Sequence, residues 1–227
     1  MNDKKIIIAL DSDNLKEIIS IVKLLKGETF AFKIGYQFFF NFGLTGYNLI
    51  KKQNVKIFLD FKLHDIPNTV QNGIKTISSN LKPYFTTIHI SGGDKMQQAA
   101  NIEKNKIKIL GVSMLTSLDS IQTKKYYFND NIENIVSRFA EEALKNNLDG
   151  VVCSPKEIKI IKKKTLGKIL IITPGIRPSS YKEDDQKRTM TPEEAIDIGA
   201  DFLVIGRPIT QSISPLESIK MINAKIN

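Results

Sequence analysis

Asp60 and Lys62 stand two residues apart at the end of the apolar run Lys56–Leu59, inside Asp60-Phe61-Lys62-Leu63-His64-Asp65-Ile66-Pro67-Asn68-Thr69. Alternate residues of a strand point to the same side, so the acid and the lysine are expected to share a face. Charges at the end of an apolar strand are costly to bury unless paired. Lys33, in Phe32-Lys33-Ile34-Gly35, and Asp11, which ends Ile6–Leu10, hold comparable places on their own runs. Brought to one mouth, these groups form alternating ammonium and carboxylate charges. Such an array is either a structural ion-pair network or a set of pre-placed charges that stabilises charge developing in a reaction. Farther on, Val204-Ile205-Gly206-Arg207-Pro208 joins a flexible glycine to an arginine. Backbone N–H groups and a guanidinium fork together suit phosphate oxygens. The chain has 4 arginines against 29 lysines, and Arg177, Arg188 and Arg207 all fall late in the sequence. Arg188 alone is compatible with a surface salt bridge.

The elements that must position these residues repeat along the chain. Strand candidates are Ile6–Leu10, Phe30–Ile34, Lys56–Leu59, Phe85–Ile90, Ile107–Val112, Gly150–Cys153, Ile169–Thr173 and Phe202–Ile205. Each is short and apolar, as strands buried on both faces are. Helical spacing separates them, as in Leu15-Ile18-Ile19-Val22-Leu25 and Ile132-Ile135-Val136-Phe139-Ala143. Ser154-Pro155 and Thr191-Pro192 read as N-caps followed by proline in the first helical turn. Eight strands alternating with helices imply a parallel sheet, and at 227 residues the expected fold is α/β, a (β/α)8 TIM barrel forming one catalytic domain over residues 1–227. The alternative is an open doubly wound sheet, but no G-x-G-x-x-G follows the first strand. In a barrel the chemistry sits at the C-terminal strand ends, where Asp11, Lys33, Asp60, His89, Thr116, Arg177 and Arg207 fall. The polar stretch Gly175–Thr191 has the length of a functional loop.

Composition narrows the function. Lysine plus arginine is 33 and aspartate plus glutamate 24, a formal charge of +9. The lysines are scattered, which argues for solvated surface and against a nucleic-acid groove. No apolar run approaches the ~18 residues of a membrane span, and the early run is too short for a signal peptide. Cys153 is the single cysteine, so no intramolecular disulfide or cysteine zinc site is expected. We expect a soluble, cytoplasmic protein without nucleic-acid or membrane partner. Cys153 reads as a small buried hydrophobe, His64 as structural, and Phe38-Phe39-Phe40 with Phe42 as core or dimer packing. His89 carries no assigned role.

Asp60-x-Lys62-x-x-Asp65-Ile66-Pro67-Asn68-Thr69, with Lys33 upstream, Thr173-Pro174-Gly175-Ile176-Arg177-Pro178, Asp185-Gln186 and the Ile205-Gly206-Arg207-Pro208 turn downstream, resembles the orotidine 5′-phosphate decarboxylase family from Asp11 to about Ile213. The D-x-K-x-x-D part is shared with metal-dependent sugar-phosphate enzymes of the same superfamily; the other segments are more particular. The resemblance implies removal of the carboxylate of orotidine 5′-phosphate to give uridine 5′-phosphate, without metal or organic cofactor. It implies Lys62 as the group that stabilises and protonates the C6 carbanion, with Asp60, Asp65 and Lys33 completing the catalytic charges. Asp11 and Lys33 are implied at the ribose, Thr116 at the pyrimidine, and Arg177, Gln186, Gly206 and Arg207 at the phosphate, beneath a lid formed by Gly175–Thr191. It also implies a homodimer in which Asp65 and Thr69 act across the interface. A metal-dependent relative, a basic nucleic-acid binder and a barrel without catalysis are the competing readings.

Overall fold

The computed structural model describes residues 4–128, 131–179 and 189–226. Eight parallel strands close on themselves: β1 (Ile6–Ala9), β2 (Ala31–Ile34), β3 (Ile57–Leu63), β4 (Phe85–His89), β5 (Lys108–Val112), β6 (Gly150–Val152), β7 (Leu170–Thr173) and β8 (Phe202–Ile205). β1 pairs with β2 on one side and β8 on the other, which makes the sheet a TIM barrel and removes the open-sheet alternative.

Period-two alternation separates two cores. Ile7, Ala9, Ala31, Phe58, Phe85, Leu110, Ile172 and Val204 fill the barrel interior. Their strand neighbours, among them Ile6, Ile8, Phe32, Ile34, Leu59, Ile88 and Ile109, pack outward into a second core under the helices. Each valine, leucine, isoleucine or phenylalanine among them contributes roughly 1.5–3 kcal/mol when taken out of water, so slipping a strand by one residue would strand both cores. At the base, Phe30 packs on Phe202 with ring centroids 4.2 Å apart, Tyr84 meets Phe30 edge-on at 5.4 Å, and the Lys56 ammonium sits 4.0 Å over the Phe30 ring.

The outer layer follows the sequence signals. Helix α1 (Leu15–Leu25) is capped by Asn14, whose side chain accepts the N–H groups of Lys16 and Glu17, and it buries Ile18, Val22 and Leu25. Helices α2 (Tyr36–Lys51), α3 (Pro67–Thr76), α4 (Asp94–Ile102), α5 (Ser120–Tyr127) and α6 (Ile132–Lys145) follow. Helix α7 (Ile158–Thr165) begins behind a 3₁₀ turn closed by a Ser154–Glu157 capping box, and α8 (Pro192–Asp197) behind a Thr191–Glu194 box. The short α9 (Arg207–Thr210) and the final α10 (Pro215–Ile226) complete the layer. Among the described residues no helix is long and apolar enough to cross a membrane. Of the aromatic run, Phe38 belongs to the core, whereas Phe40 is 81% exposed.

β3 departs from the sequence expectation. It does not stop at Leu59 but runs to Leu63, and its last three residues are only half-buried. Its register against β4 shifts there: Leu59 pairs with Thr86 and Leu63 with Ile88, so β3 spends four steps where β4 spends two. Lys62 takes a left-handed backbone, φ 47°, an uncommon conformation outside glycine. Asp60 and Lys62 therefore meet through a bulge and not through plain strand alternation.

Candidate active site

β1, β2 and β3 deliver the charged array. Asp60 is at the fourth position of β3 with its side chain 11% exposed. Lys62 places its ammonium Nζ 3.0 Å from Asp60 Oδ1 and 2.9 Å from Oδ2. Lys33, from β2, lies 3.5 Å from Asp60 Oδ2 and 3.7 Å from Oδ1 of Asp11, which follows β1. The order is thus Asp11, Lys33, Asp60, Lys62, with signs alternating.

Asp60 and Lys33 are held ionised by their neighbours. Burial alone would raise the Asp60 carboxyl; Lys33 and Lys62, with hydrogen bonds from Lys62 and Thr87, overcome this and hold it below the ordinary carboxylate value. Burial alone would lower Lys33; Asp60 and then Asp11 reverse that and raise it. His89, at the end of β4, goes the other way. Burial, then the neighbouring His64 and Lys62, push it down to about 4 against a weaker pull from Asp60. The two imidazole rings are 5.2 Å apart.

Above the array opens a cavity of about 220 Å³ whose lining includes Lys33, Asp60, Lys62, Thr116, Cys153, Pro174 and Val204. Its walls are mostly apolar, which strengthens electrostatic interactions inside. Cys153 is a buried wall residue whose thiol burial pushes up, consistent with a packing role. A second hollow of about 670 Å³ adjoins the cavity on the α2–α3 side. Asp65 and Thr69 line this groove and not the cavity, together with Tyr36, Phe40, His64 and His89. Lys62 lines both spaces. The rim of the groove is apolar and open, with Tyr36 49% and Phe40 81% exposed.

The remaining described candidates follow β7 and β8 and are not among the residues lining the cavity. Gly206 and Arg207 follow Val204 at the end of β8, and Gly206 caps α9 with its carbonyl accepting the N–H groups of Ile209 and Thr210. Arg177 follows β7; its N–H donates to the Met190 carbonyl at 2.9 Å and its Nη1 to the Ile176 carbonyl at 3.0 Å. With the Ile176–Met190 bridge, the Arg177–Met190 bond pins together the two ends of the Gly175–Thr191 segment. Gln186, Asp185 and Arg188 lie outside the described residues. Sequence reasoning passed over Thr87 and the His64–His89 contact. The signal for Thr87 was its place two residues after Phe85, which faces it into the barrel.

A closed (β/α)8 barrel with a lysine–aspartate array at its C-terminal mouth has the architecture of an α/β-barrel enzyme. The sequence matches the Orotidine 5′-phosphate decarboxylase / HUMPS family over residues 4–222, and the chain belongs to that family. It is 37% identical to an orotidine 5′-phosphate decarboxylase of Vibrio cholerae, with all of both chains covered. It is 43% identical to one of a Wolbachia sp. (subsp. Brugia malayi), with 96% of each covered. Among solved structures, an orotidine 5′-phosphate decarboxylase from Lactobacillus acidophilus superposes with a TM-score of 0.84 at 34% identity, covering 99% of each chain.

Proposed function

We propose that this chain, as a single catalytic domain, converts orotidine 5′-phosphate to uridine 5′-phosphate and CO2 without metal or organic cofactor. The observation that carries the reading is the Lys62 ammonium bonded to both oxygens of a buried Asp60 carboxylate, with Lys33 closing on the same group. Asp60 is taken up by two ammonium groups and a Thr87 hydroxyl, a donor set suited to placing lysines.

The chemistry follows from the charges. Breaking the bond between C6 and its carboxylate leaves an electron pair on C6 with no adjacent electron sink. An ammonium already in place stabilises that pair without having to reorganise. Lys62 then gives C6 a proton, becomes neutral, and regains a proton from solvent. Lys33 and Asp11 hold ribose hydroxyls, and Thr116 contacts the pyrimidine. Arg177, Gln186, Gly206 and Arg207 hold the phosphate, whose binding energy fixes the ring against Lys62 and draws Gly175–Thr191 over the mouth. Asp65 and Thr69 serve a neighbouring subunit's site in a homodimer. Their place in an open apolar groove beside the cavity, and not in the cavity itself, supports that reading.

The test is loss of the orotate chromophore in excess chelator, with Lys62→Ala alongside. Turnover by the wild type and none by the variant is the expected result. A folded wild type that is inactive in chelator but active on sugar phosphates once Mg²⁺ is restored would overturn the proposal.

A further inference from the structure

Thr87 lies in β4, fully buried, on the interior face of the strand. Its hydroxyl donates to Asp60 Oδ1 at 3.0 Å, and the same oxygen accepts the backbone N–H of Lys62 at 2.8 Å. The Lys62 ammonium returns to Asp60, so three residues close one ring of hydrogen bonds. This ring sits where the β3–β4 ladder fails. Between the Leu59–Thr86 and Leu63–Ile88 pairings the register has shifted, and Lys62, still within β3, takes a left-handed backbone. A buried N–H needs a partner, and here a side chain supplies it.

We propose that Thr87 is a positioning residue: its hydroxyl ties the backbone of Lys62 to the Asp60 carboxylate and so fixes where the ammonium is presented. The position requires one atom that both donates and accepts. Valine fills the same volume and does neither; serine does both. Thr86 is the natural contrast. It is equally buried and its hydroxyl donates to the Leu59 carbonyl at 3.1 Å, but strand alternation turns it to the helices, away from the Asp60 carboxylate's side of β4.

The activity readout rests on the decarboxylase reading, so a second readout independent of activity accompanies it. Thr87→Val, Thr87→Ser and Thr86→Val are compared in kcat, KM, urea midpoint and exchange protection of the Lys62 amide. We expect Thr87→Val to lower kcat about tenfold to a hundredfold with little change in KM, the scale on which small displacements act. Thr87→Ser restores kcat to near wild type, Thr86→Val loses stability only, and Lys62 amide protection falls in Thr87→Val alone. Unchanged kcat in Thr87→Val, no rescue by serine, or equal losses in Thr87→Val and Thr86→Val would each overturn the proposal. Should the wild type itself fail to decarboxylate, the decarboxylase reading falls, and the tether stands or falls on the Lys62 amide alone.

Discussion

Acidification should loosen this protein through His89 before the Asp60 carboxyl takes up a proton. The ring sits at the end of β4 against His64, and its pKa is pushed from 6.5 down to about 4, first by burial, then by His64 and Lys62. The sign follows from linkage. The fold favours the neutral ring, so below pH 6.5 the unfolded chain takes up a proton that the native chain refuses. Stability therefore falls as pH drops from about 6.5 and levels off below about 4. The gap is 6.5 − 4, about 2.5 units, which at 1.36 kcal/mol per unit is about 3.4 kcal/mol. The ring is partly open to solvent, and screening reduces this to roughly half, about 1.7 kcal/mol. The measurement is urea unfolding of wild type and His89→Gln at pH 7.5, 6.5, 5.5 and 4.5. The difference in unfolding free energy should move against the wild type by more than about 1 kcal/mol across that range. Parallel curves would refute the reasoning, and a shift in the opposite sense would show that the Asp60 carboxylate dominates the ring. His64→Gln removes the second cause and should make the fall shallower.

Three further outcomes follow from the same geometry. Asp60→Asn leaves Lys33 and Lys62 without their shared carboxylate and should cost about 3–5 kcal/mol by urea unfolding. Because the Asp60 carboxyl is held below its ordinary value, that cost should stay flat through neutral pH and shrink only below about pH 4. Gly150→Ala would put a Cβ 2.6 Å from the Leu170 carbonyl oxygen between β6 and β7 and should destabilise by about 1–3 kcal/mol, read as a lowered thermal midpoint. Mixing inactive Lys62→Ala and Asp65→Ala proteins should restore part of the wild-type rate; no recovery despite demonstrated subunit exchange would reject the shared-site assignment.

The barrel was legible because each strand is a short, doubly buried apolar run and helices with written-out caps separate them. Phe202–Ile205 needs no adjustment, and six of the other runs differ from their strands only by a terminal residue. β3 misled for a physical reason. A charged residue after Leu59 reads as the end of burial, yet Asp60 stays buried because two ammonium groups and a hydroxyl satisfy it. The strand then continues through a bulge that no residue type announces, since Lys62 takes a left-handed backbone without glycine. Lys33, Asp60, Lys62 and Thr116 could be placed together from strand ends alone. Thr87 could not, because its importance lies in what its one oxygen joins. Asp65 and Thr69 share the motif of Lys62 in sequence and border the groove with it, but they part from the cavity that Lys62 also lines, as the chain leaves the end of β3 for α3.

That parting has a consequence for the array. Lys62 forms part of the wall between two spaces, and its surroundings differ on the two sides. The cavity side holds Asp60 and Lys33; the groove side holds His64, His89 and Asp65. The cavity side is built by strands of one closed sheet, so its charges are fixed as soon as the barrel closes. The groove side is apolar and open, with Phe40 and Tyr36 standing into solvent. Whatever covers it removes water from one flank of Lys62 while leaving the Asp60 contact untouched. Removing water strengthens each remaining charge interaction of that ammonium. In the proposed homodimer, subunit association and the electrostatics of Lys62 are thus set by the same surface. Substitutions at Phe40 that weaken association should then lower kcat even though Phe40 does not line the catalytic cavity, and raising the protein concentration should recover it.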